Sequence, residues 1–291
     1  MDFYYLNNSG TGFGLESIPV GNLGSASVAI IKHQVNNGSA DANKDTNSWK
    51  LDARWNGIPL WTDASLDIAL IYAWQNLSDA QKENDGLKPN NGFLAQLEWT
   101  QGNFFGGFNK MSFTYGHDGL DYVGVLNGGN HAGDNVVPYS EKGSGYRFID
   151  WGVIEQPSWN LGYAFLAAHK NAFDENHTEG GANRSHPTGN DYAVVIRPAY
   201  KWSDFTSTVL EFGYTNQTNT GWNGWATNYK DRVKATKLTL AQQWTPSSQF
   251  WARPSIRVFA SWLSGDLVKN NYTSLKDNHQ VTLGAQVEAW W

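Results

Sequence analysis

The chain has 291 residues, no Cys, 2 Met, 30 Gly and a formal net charge of −6, with 15 Trp, 13 Tyr and 14 Phe. The missing Cys exclude a disulfide scaffold, and the acidic balance excludes a basic nucleic-acid binder. Mean hydropathy is −0.51, and no segment approaches the roughly 18 continuous apolar residues of a membrane helix.

The sequence repeats with period two. Alternating segments separated by Gly, Asn, Asp and Pro clusters predict about thirteen strands. In chain order they centre on Asp2–Ser17, Ser25–Ile31, Ser48–Trp55, Ala64–Tyr72, Gly92–Gln101, Gly107–Gly116, Tyr146–Val153, Trp159–Ala168, Asp191–Trp202, Thr206–Asn216, Lys234–Trp244, Ser255–Leu263 and Gln280–Trp291. Tight connectors are expected at Ile58–Asp63, Gly102–Gly106, Glu155–Ser158, Ser203–Asp204 and Thr245–Ser248. Long polar ones occupy Asn36–Asn47, Gln75–Asn91, His117–Gly145, Lys170–Asn190, Gln217–Arg232 and Ser264–His279.

The last segment is the most regular. Val281, Leu283, Ala285, Val287, Ala289 and Trp291 fall on one face, and Thr282, Gly284, Gln286, Glu288 and Trp290 on the other. A strand spanning lipid needs about 9–11 residues with an apolar outer face, a polar inner face and an aromatic girdle. Trp291 suits the girdle, whereas Trp290 puts an indole in a polar row. The fold class is therefore all-β, an antiparallel transmembrane β-barrel, and residues 1–291 read as a single domain. Short turns mark one rim and long loops the other.

An odd strand count conflicts with single-chain barrels, which close with an even number. The opening residues also lack the basic n-region and apolar h-region of a secretion signal. Both observations lead to the expectation that an N-terminal portion, with its signal peptide, is missing.

Several blocks carry a family resemblance. They are Asp2-Phe3-Tyr4-Tyr5 with Gly14-Leu15-Glu16, Gly107-Phe108-Asn109-Lys110, Ile196 to Trp202, Lys237 to Trp244, Arg253 to Ala260, and Gly284-Ala285-Gln286 to Trp290-Trp291. Together they resemble the maltoporin family of sugar porins over essentially the whole chain. The resemblance implies the 18-stranded sugar-porin type of barrel, with about 13 C-terminal strands present and about five N-terminal strands absent, starting at the base of an inward-folded loop. It also implies a homotrimer when full-length, the Gram-negative outer membrane, and passage of an oligosaccharide or glucoside substrate along a file of aromatics. Matched motif by motif, the aromatic positions are Phe108, Trp251 and Trp290, with Tyr4 and Asp2 at a constriction.

Parity supports those assignments from the residues themselves. Phe108 shares a face with Lys110, Ser112 and Thr114; Trp251, if the chain is already extended there, shares one with Arg253, Ser255 and Arg257; Asp2, Tyr4 and Leu6 alternate with Phe3 and Tyr5. The expected inner charges are Asp2, Asp52, Glu211 and Glu288 against Arg54, Lys110, Arg197, Lys201, Lys237 and Arg257. Mixed charge suits hydrogen bonding to neutral hydroxyls, so Lys110, Arg257 and Glu288 join the candidate sugar contacts.

Plainer roles compete. Trp55, Trp61, Trp202, Trp244, Trp262 and Trp291 read as girdle residues. Arg54 with Asp52, and Arg257 with Glu288, are as readily wall-stabilising pairs, and Trp222 with Trp225 reads as loop packing in preference to an extracellular sugar platform. The His residues show no metal spacing, no cofactor or enzyme motif stands out, and no nucleic-acid partner is expected. A nonspecific diffusion porin, or a soluble all-β carbohydrate-binding protein, is the alternative. Leu6 stands where maltoporin-like chains carry Trp, and the family includes sucrose and aryl-β-glucoside channels, which leaves the sugar open.

Overall fold

Consecutive period-two segments joined by turns pair most simply with their neighbours, because an antiparallel ladder satisfies every backbone group between them. A computed structural model of the chain describes residues 6, 10–35, 46–77, 79–83, 91–118, 120, 144–170, 178–179, 182–183, 189–218, 232–266, 268 and 278–289. Its strands are β1 (Thr11–Pro19), β2 (Ser25–Val35), β3 (Thr46–Pro59), β4 (Ala64–Asn76), β5 (Gly92–Phe104), β6 (Gly107–Asp118), β7 (Ser144–Glu155), β8 (Trp159–Lys170), the two-residue β9 (Thr178–Glu179) and β10 (Ala182–Asn183), β11 (Gly189–Lys201), β12 (Thr206–Thr218), β13 (Arg232–Trp244), β14 (Ser255–Gly265) and β15 (His279–Glu288). A one-turn helix, α1 (Asp79–Glu83), follows β4. All but β9 and β10 form one 13-stranded antiparallel sheet in chain order.

The register turns alternation along each strand into two continuous faces. One row runs across the ladder from Glu98 through Ser112, Ile149 and Leu166 to Ala193 and Thr215. The row one residue away holds Leu97, Phe113, Phe148, Ala167 and Tyr192. The second, outer face is apolar and bare, with Phe13 79%, Leu283 78% and Val287 71% exposed. Apolar groups in such density are stable only when something other than water covers them, and a lipid bilayer does so. Aromatics border this band at both ends. Trp55, Trp99, Trp159, Tyr200 and Trp244 lie toward the short connectors, while Tyr72, Trp74, Phe93, Tyr115, Tyr192 and Trp262 lie toward the long ones. A polar triplet interrupts the band on β6–β8, where Asn109 Nδ2 donates to Asp150 Oδ1 at 2.6 Å and to Tyr163 Oη at 2.7 Å.

Among the described residues β1 and β15 each pair on one side only, so the sheet is not closed. With an odd number of antiparallel strands these two edges run in the same direction. Antiparallel closure therefore requires an odd number of further strands between them.

The inner face is not uniformly polar. Ala69, Ile71 and Ala73 on β4 and Leu94 on β5 form a buried cluster on which Leu6 and Leu120, both outside strands, are seated. Leu6 is 4% exposed, and its carbonyl accepts from Arg54 at 3.2 Å. This corrects the expected first strand: it begins at Thr11, and Leu6 is folded against the inner wall instead of alternating along a strand. The last strand likewise stops at Glu288.

A further correction concerns the short rim. The connector between β13 and β14 is not the tight turn Thr245–Ser248 but the whole of Thr245–Pro254, the longest on that rim. It turns inward.

Candidate functional site: an inner wall with two braced aromatic platforms

The inward connector is fixed at several points. Its Phe250 amide donates to Glu155 Oε2 at 3.0 Å, and the other oxygen of Glu155 pairs with buried Lys201, which also donates to the Gln156 carbonyl at 2.7 Å. The Phe250 ring lies over Gly162 on β8, where a Cβ would come within 2.7 Å of ring carbons. The Arg197 guanidinium caps the ring at 5.1 Å from its centroid. Arg253 donates to the Phe250 and Ala252 carbonyls at 3.3 and 2.8 Å and pairs with Glu288 on β15 at 3.2 Å.

That anchoring delivers Trp251. Its ring meets Phe250 edge-on at 4.9 Å and 75°. Phe250 is buried whereas Trp251 is 44% exposed. A second pair on the strands repeats the arrangement, with Phe108 edge-on to Trp151 at 4.7 Å and 79°. Trp151 is buried and Phe108 half-buried. In both pairs a buried ring braces one that reaches the inner space, and Trp151, Phe250 and Trp251 line a common small cavity with Gly162 and Arg197.

Charged pairs flank the platforms. Lys110 Nζ donates to Glu98 at 2.6 Å, Arg257 to Glu288 at 2.6 Å and to Ser255 Oγ at 3.1 Å, and Lys237 to Glu211 at 2.9 Å. Glu211 also lies 3.9 Å from Arg197, which donates to Gln243 at 3.2 Å. Toward the other end of the sheet, on the same inner face, Arg54 grips Asp52 through two nitrogens at 2.9 and 2.7 Å. Both proposed wall pairs, Arg54 with Asp52 and Arg257 with Glu288, are thus formed. Such a wall offers rings for the C–H face of a pyranose, and donors and acceptors for its hydroxyls.

Of the sequence-predicted residues, Phe108, Lys110, Arg257 and Glu288 take the inner face, as alternation demands. Trp251 also reaches the inner side, but the extended-chain argument for it fails: it sits in the connector, not on a strand. Asp2, Tyr4, Trp290 and Trp291, like Trp222 and Trp225, lie outside the described residues. Trp151 and Phe259 also take the inner face, and alternation alone marks both, since Trp151 shares its face with Arg147 and Phe259 with Arg257. Phe250 had no such signal, because a turn carries no period.

An antiparallel sheet with a lipid-type exterior, and with charges and braced aromatics on its interior, is the wall of a porin-type channel. The chain belongs to the LamB porin family, which it matches over residues 1–291. Similar proteins include the maltoporins of Photobacterium profundum, 35% identical over 100% of this chain and 61% of that protein, of Vibrio cholerae, 33% identical over 100% and 68%, and of Hahella chejuensis, 32% identical over 100% and 64%. The chain thus spans about three fifths to two thirds of the length of these relatives.

Proposed function

We propose that this chain forms the greater part of an outer-membrane channel of Gram-negative bacteria through which maltodextrins, or other oligosaccharides and glucosides, diffuse passively and selectively. The observation that carries this reading is the pair of braced aromatics, Trp251 on Phe250 and Phe108 on Trp151, standing among charged pairs on the inner wall. Further strands, about five by family resemblance, complete the barrel between β15 and β1, and the complete protein is a homotrimer. Trp251, Phe108, Trp290 and Tyr4 supply ring faces. Asp2, Lys110, Arg257 and Glu288 bond the hydroxyls. Conduction needs binding favourable enough to enter and weak enough to leave, and a sliding sugar that gives up part of one ring contact while gaining part of the next meets both demands. No covalent step is involved.

The test is sugar block of ion current in planar bilayers, with the protein expressed from its complete reading frame. Saturable block is expected. Trp251→Ala should weaken it about 2- to 30-fold, the equivalent of one aromatic contact of about 0.5–2 kcal/mol, while Trp262→Ala on the outer face leaves sugar affinity intact. Ion current with no saturable block by any sugar would instead identify a nonspecific diffusion porin.

A further inference from the structure

Unlike the Phe108 platform, the Trp251 platform is carried by a connector, so something other than the strand ladder must fix its position. We infer that Glu155 and Gly162 are positioning residues that hold the Thr245–Pro254 connector inward and thereby set where Trp251 meets the sugar. The inference rests on the reading of Trp251 as a sugar platform for its functional consequence, and on geometry alone for its structural one.

Glu155 works through both oxygens. One accepts from the Phe250 amide at 3.0 Å and the other pairs with Lys201, so the last residue of β7 is tied to the connector and to the end of β11 at once. Lys201 is also held by the Gln156 carbonyl, which leaves the carboxylate little freedom to follow the connector if it moved. Gly162 works by absence. The Phe250 ring occupies the space where a side chain on β8 would stand, with two ring carbons 2.7 Å from the position of a Cβ. The ring cannot swing away freely, since Arg197 covers it and its own amide is bound. A methyl group at residue 162 must therefore push out Phe250, and Trp251 moves with the ring it leans on.

A neighbouring glycine supplies the control. Gly213, on the same inner face, would place a Cβ 3.8 Å from Lys237 Cβ and 4.0 Å from Val195 Cγ2, ordinary contacts. Gly162→Ala and Gly213→Ala make the same chemical change on one wall, and only the first meets the connector.

The experiment uses the protein expressed from its complete reading frame, with two readouts. Residues 1–291 contain no Cys, so Ala252→Cys adds a thiol on the connector whose reaction with a membrane-impermeant maleimide is read against the same protein without that substitution. Adding Gly162→Ala, or separately Glu155→Ala, should speed labelling several-fold, and adding Gly213→Ala should not. Glu155→Ala removes the anchor without a clash, so the answer does not depend on Gly162→Ala folding. The second readout is block of single-channel current by maltohexaose and by sucrose, added to either side. Gly162→Ala should lower affinity to within about twofold of Trp251→Ala, the double variant should be no worse than Trp251→Ala alone, and the change should be largest for sugar entering from the short-connector rim. General destabilisation would lower channel number without altering sidedness. Unchanged labelling in both Gly162→Ala and Glu155→Ala overturns the inference. Faster labelling with affinity unaltered in Trp251→Ala overturns the sugar reading of Trp251 and leaves the anchoring standing.

Discussion

The two aromatic platforms have nearly the same internal geometry and opposite origins. Phe108 and Trp151 stand on adjacent strands, two register positions apart and so on the same face, and their inward direction follows from the ladder that joins β6 to β7. Phe250 and Trp251 are neighbours in a connector, and their direction follows from contacts with β7, β8, β11 and β15. A ladder sets side-chain direction by alternation, whereas a connector must be given its direction piece by piece. The strand-borne platform should therefore be inseparable from folding, and the connector-borne one separable from it.

The sharpest test of that difference is truncation of the two bracing rings. Trp151→Ala should destabilise the folded protein by about 3–5 kcal/mol, typical of a large buried aromatic, read as a shift in the urea midpoint of folding into vesicles. Phe250→Ala should cost below about 2 kcal/mol globally, because the connector can open without unpairing strands, yet it should weaken sugar block nearly as much as Trp251→Ala. Equal losses of stability in both variants would erase the distinction between the platforms.

The same distinction explains what the sequence made legible. Wherever a ladder governs, alternation is enough: the strands from β2 onward, the outward placement of Trp55, Trp244 and Trp262 and the inward placement of Phe108, Lys110, Arg257 and Glu288 follow from period two. Alternation says nothing once the chain leaves the sheet. Leu6 belongs to a parity that runs through Asp2 and Tyr4, but it is a core residue because Ile71 and Leu94 form an apolar floor on the inner wall. Trp251 was placed on the inner side by motif, and the route it takes there depends on Glu155, about a hundred positions earlier in the chain, and on the empty space at Gly162. Contacts of such sequence separation have no local signature.

Parity itself can be broken by one step along a strand. Lys237 points inward on β13, and its neighbour Leu238 points out between Phe212 and Trp262. Leu238→Lys repeats an existing charge one residue further on, now against lipid. Because Leu238 pairs with Trp262 of the aromatic border, the expected cost is about 1–2 kcal/mol in folding free energy, between the midplane and interface values for a lipid-facing Lys, again from urea titration in vesicles. An unaltered midpoint would mean that this face is not lipid-covered.

Glu288 joins the two kinds of structure, since it pairs with Arg257 on a strand and Arg253 on the connector. Glu288→Ala leaves two arginines without their shared carboxylate, one of them with a side chain only 8% exposed. Partial exposure of the acid moderates the penalty, and about 1–3 kcal/mol is expected. The loss should also speed maleimide labelling of Ala252→Cys. A stability loss without faster labelling would assign the effect to Arg257 and the strand wall alone.

Lys237→Met should have the smallest effect, and it isolates what a wall charge contributes when it touches neither platform. The Lys237 side chain is 49% exposed and its partner Glu211 23%, so water screens the pair and its removal should cost under about 1 kcal/mol. Glu211 keeps a second cation, Arg197, at 3.9 Å, so no acid is stranded by the change. The methionine stem preserves the packing of the lysine methylenes beside Gly213. Sugar affinity should hold within about twofold, while the preference of the open channel for anions over cations, measured as reversal potential in a salt gradient, should fall. A loss of sugar affinity comparable to that of Trp251→Ala would mean that the sugar path runs along β12 and β13 instead of over the connector.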